Sequence, residues 1–221
     1  MQGWSGFIAA FVVFFLSHAL PVRPPVKPWL AARLGARGFT WLYSALSVAV
    51  LIWLIVAAGR APFVPLWPTP EGLRHIALTA MLGVCLILAL ALGRPNPFSF
   101  GGLHDDRFDP AHPGILRWMR HPLLVALALW AEVHVLVNGD LAHVILFGAF
   151  AAFATLGGRM ITRRKRREMG ALHDRLRAET RTAPYRLAPS SGTALRLVAG
   201  LLLYGVLIAL HGPVIGINPL P

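Results

Sequence analysis

The stretch Gly114–Asp140, GILRWMRHPLLVALALWAEVHVLVNGD, decides how the fold is read. It places an Arg-His-Pro step at the mouth of an apolar helix and then sets Glu132 and His134 further along that helix. Arg117, Arg120 and His121 stand at i, i+3 and i+4, so a helical start puts them on one face. Pro122 lacks a backbone donor and marks a first helical turn or a kink. Asn138-Gly139-Asp140 supplies a C-terminal glycine and then an N-cap for the next helix. A polar group inside a spanning segment is expensive, which makes Glu132, His134 and His121 candidates for function.

Outward from this stretch, the chain has 221 residues, 56% hydrophobic and 14% charged, with mean hydropathy +0.62. That composition excludes an ordinary soluble domain, and apolar runs near twenty residues suit a hydrocarbon core of about 30 Å. The expectation is an all-α integral membrane protein, a single polytopic domain over residues 1–221. Six spans are expected at about 4–20, 39–58, 73–92, 115–137, 141–157 and 194–210. The first is read as a retained helix, because no basic residue precedes it and Arg23, Lys27, Arg33 and Arg37 follow. The fourth and fifth should form a tight antiparallel hairpin across Asn138-Gly139-Asp140.

The loops after spans one, three and five, with their flanks, hold 19 of the 21 Lys and Arg, and the other side holds Arg60 and Arg74. This asymmetry places both termini outside and the basic loops in the cytoplasm. It also explains the net charge of +12 by topology and anionic lipid, with no need for nucleic acid. In the basic segment 159–186, Met169, Leu172 and Leu176 read as the apolar side of an amphipathic helix on the inner membrane surface.

The same topology brings His18, late in the first span, to the level of His121, early in the fourth. Two facing imidazoles can ligate a haem iron, and Arg117, Arg120 and Arg23 lie where propionates would reach the interface. Ser17 and backbone carbonyls are expected to fix the ligand tautomers. The plainer reading is a pair of interfacial polar anchors. His134 is thirteen residues from His121, roughly 20 Å along a helix, so one metal cannot use both. Glu132 and His134 are instead expected to point into the bundle as a substrate or proton site, or as packing hydrogen bonds. His75 and His211, at span ends, fit packing. His104, Asp105, Asp106, Asp109 and His112 form a weak metal pattern in a proline-rich loop. Cys85, the one cysteine, excludes an intrachain disulfide and reads as a buried small hydrophobe.

Several segments together carry a resemblance: FFLSHALP (Phe14–Pro21), GFTWLYSALS (Gly38–Ser47), PFVPLW (Pro62–Trp67), RHPLL (Arg120–Leu124) and VHVLVNGDLAHVILFGAF (Val133–Phe150). On these the chain resembles the NnrU family, polytopic bacterial inner-membrane proteins linked to nitrogen-oxide metabolism in denitrification. That family is similar to the 15-cis-ζ-carotene isomerases, which bind haem b through histidine. The resemblance implies haem b at His18 and His121, with an apolar or small-molecule substrate. A fainter likeness, in Arg120-His121-Pro122 and loosely in Arg167-Glu168 with Tyr185, is to isoprenylcysteine carboxyl methyltransferases, which use S-adenosylmethionine. Three function classes follow: a haem-dependent isomerase or redox enzyme, a methyltransferase, and a non-catalytic membrane factor.

Overall fold

The computed structural model describes residues 3–184 and 191–221. Tyr185 and Arg186 fall outside the described residues. Regular structure among the described residues is helical, with one antiparallel bridge between Pro65 and Asp140. The helices are α1 (Trp4–Ala19), α2 (Val26–Gly59), α3 (Glu71–Ala91), α4 (Pro122–Asn138), α5 (Leu141–Met169), α6 (Ala171–Thr182) and α7 (Ser191–Ile215). By their contacts these fall into two compact units.

The first unit holds the chain through Trp67 together with Gly139–Leu146. In it α1 packs on α2 through buried Phe7 and Ala10, against a partner helix that buries Phe39, Val50, Leu54 and Ala57. Pro21, Pro24 and Pro25 end α1, since proline offers no backbone donor to the preceding turn. Helix resumes at Val26, earlier than the sequence suggests, and Gly35 (φ 72°, ψ 158°) then breaks it, in a conformation open to glycine alone. The loop before α3 lies on the turn that precedes α5: Leu66 and Trp67 donate to the Gly139 carbonyl (2.7 and 3.2 Å), and Leu141 donates to Val64 (2.9 Å). Asp140 caps α5 as its sequence position implies, accepting from the His143 backbone (3.2 Å) and side chain (2.7 Å).

The second unit holds Pro68–Asn138 and Phe147–Pro221. There α3 packs on both α4 and α7. Gly200 of α7 sits so close to α3 that an added Cβ would lie 3.1 Å from Leu86 and 3.2 Å from Ala89, the small-residue contact that lets apolar helices approach. Arg196 donates to the carbonyls of Ala89 (2.8 Å) and Leu92 (2.7 Å), closing the C-terminal end of α3 with a cation. Between α3 and α4 the chain makes two short 3₁₀ turns, Asp105–Arg107 and Gly114–Arg117, around a small core of Ala91, Phe98, Ile115 and Leu116.

Helices α2, α3, α5 and α7 are long and apolar enough to cross a membrane. Helices α1 and α4 have 16 and 17 residues, about 24 and 26 Å against a hydrocarbon core of about 30 Å. Pro122 and Asn138-Gly139 set the length of α4, so the expected start at residue 115 is replaced by a 3₁₀ turn and a break. In contrast α5 continues twelve residues past its expected end at Gly157, because Arg, Lys and Met are good helix formers and nothing stops the helix before Gly170 (φ 57°). Leu195, Leu202 and Val206 of α7 and Phe153, Leu156 and Met160 of α5 are exposed, as helices in contact with acyl chains require.

Helix α6 differs from the expected surface helix. Its buried stripe is His173, Leu176, Arg177 and Thr180 (i, i+3, i+4, i+7); of the expected Met169, Leu172 and Leu176, only Leu176 lies on it. Leu172 is 52% exposed, whereas His173 is 1% exposed. The reason lies in the loop before α4: Leu176 packs on the Phe98 cluster, and Arg177 donates to the Leu116 carbonyl (2.8 Å). His173 sets its ring edge-on to Phe98 at 5.6 Å. A polar-looking helix thus docks on its own chain.

Candidate functional site

The site is built on the Arg-His-Pro step. His121 precedes the first turn of α4, and its carbonyl accepts from Val125 (2.9 Å) to start the helix. Its ring is held on both sides by hydroxyls: Nδ1 lies 2.9 Å from Ser99 Oγ, and Nε2 lies 2.7 Å from Thr162 Oγ. Thr162 donates its own proton to the Gly158 carbonyl (2.9 Å), so towards His121 it can only accept. Nε2 therefore carries the ring proton, and Nδ1 accepts from Ser99. Both nitrogens are occupied.

Ser99 is itself held by the loop. Asn96, 4% exposed, donates through Nδ2 to the Arg120 carbonyl (3.1 Å) and accepts from the Phe98 backbone (3.1 Å), while its own backbone N–H reaches Asp105 (2.7 Å). One amide thus joins the α3–α4 loop to the residue beside His121. Asn96→Ala is expected to cost about 1–3 kcal/mol, since the Arg120 carbonyl and the Phe98 N–H lose a buried partner. Thermal unfolding of the purified chain measures it, and a shift no larger than that of a surface substitution would refute the joint.

His121 lines a cavity of about 320 Å³ between α4 and α5. Arg120, Arg159, Thr155 and Thr162 line its polar part, and Leu124, Val125, Ala128 and Ala154 its apolar part. The helices run antiparallel across it: Thr162 stands against His121 at one end, and Phe147 lies 4.8 Å from His134 and 5.1 Å from Trp130 at the other. Arg120, Arg177 and His173 are near enough to act electrostatically on His121. Burial, with the like charges of Arg120 and Arg181, lowers the Arg177 pKa below the ordinary guanidinium value.

The other expected residues are placed as follows. His18 belongs to the first unit and His121 to the second. Nδ1 of His18 donates to the Phe14 carbonyl (2.8 Å), with Ser17 Oγ 3.3 Å away and the Phe14 ring stacked at 4.1 Å. Its Nε2 is the nitrogen left with a lone pair in the neutral ring. Arg117 is half-buried at the end of the second 3₁₀ turn. His134 is half-buried and donates through Nδ1 to the Trp130 carbonyl (2.7 Å).

Glu132 overturns the expectation that it points inward. It is exposed and has no hydrogen-bond or ion-pair partner among the described residues. The cause is register: α4 buries Ala131 and Val133, and Glu132 falls on the stripe of exposed Val125 and Leu136. That stripe also carries the cavity residues His121, Val125 and Ala128 at i, i+4 and i+7, with Glu132 at i+11. His75 is exposed, and His211 donates to the Ile217 carbonyl (2.7 Å), a packing role for the chain end.

No group of three or more His, Cys, Asp or Glu among the described residues could hold a metal ion. The loop acids support turns instead: Asp105 takes the Asn96 N–H, and Asp109 pairs with exposed His112 at 2.7 Å. Cys85 is fully buried, as expected of a small hydrophobe. Sequence reading missed Ser99, Asn96, Thr162, His173 and Arg159. Hydroxyl and amide partners leave no spacing signal, although Thr162 stands four residues after Gly158, one turn along the helix that faces His121.

No curated protein and no solved structure matches the chain. A family model described as NnrU protein matches residues 6–219, nearly the whole length, including the His121 loop and both helices of the cavity. By that match the chain belongs to the NnrU family.

Proposed function

We propose that this NnrU-family chain is a six-span protein of the bacterial inner membrane, with both termini periplasmic, that takes an apolar or small-molecule substrate into the α4–α5 groove beside His121. The observation that carries the reading is the cavity of about 320 Å³, whose wall sets Leu124, Val125, Ala128 and Ala154 beside the polar groups around His121 and Thr155. A largely apolar pocket with a few convergent polar groups is the usual form of a small-molecule site. The short α1 and α4 cross by local thinning of the bilayer or by snorkelling of their flanking residues, both modest in cost. The 19-to-2 asymmetry of Lys and Arg supports the orientation.

His121 is the chemical group of the site. Its neutral ring bridges two hydroxyls, one of which, Thr162, lines the cavity beside it, so acid–base work on a bound substrate is the chemistry it fits. The family match supports a role in nitrogen-oxide metabolism. A long-chain diazirine photoprobe with no charge tests the reading: labelling should fall on Val125, Ala128 or Ala154 and should be blocked by Ala154→Phe. Labelling confined to the outer stripe of Phe153, Leu156 and Met160 would defeat it.

A second reading, haem b, is favoured by His18. A ring whose Nδ1–H is fixed on a carbonyl offers Nε2 as a ligand, the usual arrangement of an axial histidine. His121 does not fit the second axial position, because Nε2 carries its proton towards Thr162 and Nδ1 is taken by Ser99. Haem would supply redox or ligand-binding chemistry at His18. Glu132 and His134 remain candidates as groups on α4 that meet a substrate deeper along the helix.

A further inference from the structure

The polar end of the α4–α5 cavity has cations and no acid. Arg120 and Arg159 both line it, and neither guanidinium has a hydrogen-bond or ion-pair partner among the described residues. The carboxylates of α5 and α6 are engaged elsewhere: Glu168 with Arg164 (2.6 Å), Asp174 with Arg166 (2.9 Å) and Glu179 with Arg175 (2.9 Å). Arg120 also repels Arg177, so the positive charge there is uncompensated on more than one side. Beyond the arginines the wall turns mostly apolar, through Leu124, Val125 and Ala128 of α4 and buried Ala154 of α5, with the Thr155 hydroxyl turned back onto the Ala151 carbonyl (2.9 Å). The mouth also lies at the N-terminal end of α4, where the helix dipole favours an anion.

We infer that the groove holds an anionic phospholipid, its phosphate between Arg120 and Arg159 and one acyl chain along Leu124, Val125, Ala128 and Ala154. This deepens, and rests on, the proposal that the groove is a substrate site, and names an anionic amphiphile as its ligand class. Two guanidinium forks match the several oxygens of a phosphate and form charge-assisted hydrogen bonds with it. The apolar wall explains why the ligand is a lipid rather than free phosphate, which would leave the lower part of the groove without an apolar partner. The cavity side of α5 is opposite the exposed stripe of Phe153, Leu156 and Met160, so the acyl chain lies on a different face of α5 from that stripe.

The test uses the full chain purified from nanodiscs of phosphatidylcholine doped with phosphatidic acid, with retained lipid counted by native mass spectrometry. The wild type should retain one phosphatidic acid in preference to phosphatidylcholine. R120Q/R159Q should lower that preference about tenfold, the loss of roughly 1.4 kcal/mol of charge-assisted bonding. R120K/R159K, which keeps the charge and loses the fork, should fall between. Ala128→Phe should expel the acyl chain with both arginines intact. R164Q/R167Q, on the opposite side of α5, should change nothing. Equal retention by wild type and R120Q/R159Q, or an equal loss in R164Q/R167Q, would overturn the site. So would displacement of the lipid by inorganic phosphate alone, which would show an anion site without a chain. If the neutral photoprobe still labels Ala128 and Ala154 when the phosphate preference is absent, the groove reading stands and the anionic class falls. If neither binds, both fall.

Discussion

Gly139→Val should be the most damaging single substitution outside the site, with a loss of about 3 kcal/mol or more and a collapsed yield of folded protein. Two independent effects add. Gly139 has φ 64°, where a β-branched residue is strained, and a Cβ there would lie 2.5 Å from the Trp67 carbonyl and 3.2 Å from its ring. The neighbour cannot yield, because Leu66 and Trp67 both donate to the Gly139 carbonyl and Val64 accepts from Leu141. Gly216→Val separates the two effects. Its φ is 87°, but nothing lies within 4 Å of the added Cβ, so it carries strain without overlap. Thermal unfolding in one detergent should rank Gly139→Val far below Gly216→Val. Equal losses would mean that the contact with Trp67 does not hold the turn.

That turn was legible from the sequence for the reason that makes it fragile. A Gly followed by an Asp between two apolar runs specifies a positive φ and an N-cap, and both are present at Gly139 and Asp140. Helix existence was equally legible, since long apolar runs have few alternatives. Helix ends were not. Hydropathy drops at Arg159, and the helix does not, because helix propensity and hydropathy are different properties of the same residues. The Arg-His-Pro step marked where the site begins, and His121 does line the cavity.

What sequence could not supply was direction. Glu132 and its neighbours differ by 100° on a helix, and only the packing of Ala131 and Val133 decided that the carboxylate would face out. His173 gives the same lesson in reverse. Surrounded by Asp and Arg in sequence, it looks solvated, yet it is 1% exposed, because Phe98 and Leu116, some sixty to seventy-five residues earlier, receive its helix. Asp174 at its side is held below the ordinary carboxylate pKa by its hydrogen bonds to His173 and Arg166. A depressed carboxylate contributes stability above its unfolded value, near 3.8, and loses it as pH falls through the lower folded value. The bonds of Asp174 to His173 and Arg166 should therefore weaken only in strong acid.

The other large effect expected concerns the two histidines singled out at the start. A pair of equivalent axial ligands would make His18→Ala and His121→Ala alike, each removing the haem spectrum. The geometry makes them unlike. His18 has its Nδ1–H on the Phe14 carbonyl and its Nε2 available, so His18→Ala should abolish the Soret absorbance of protein purified with haem. Both nitrogens of His121 lie in hydroxyl bonds, with Thr162 fixed as acceptor by Gly158, so His121→Ala should leave the spectrum in place. It should instead lower turnover of a groove substrate by the 10²–10⁴-fold typical of a lost acid–base group. Thr162→Val sharpens the contrast. It removes the acceptor that holds the proton on Nε2, so turnover should fall while the haem spectrum stays. A wild-type spectrum in His18→Ala would end the haem reading at that residue. A spectrum lost in His121→Ala would show that the hydroxyl clamp opens, and would restore His121 as a ligand.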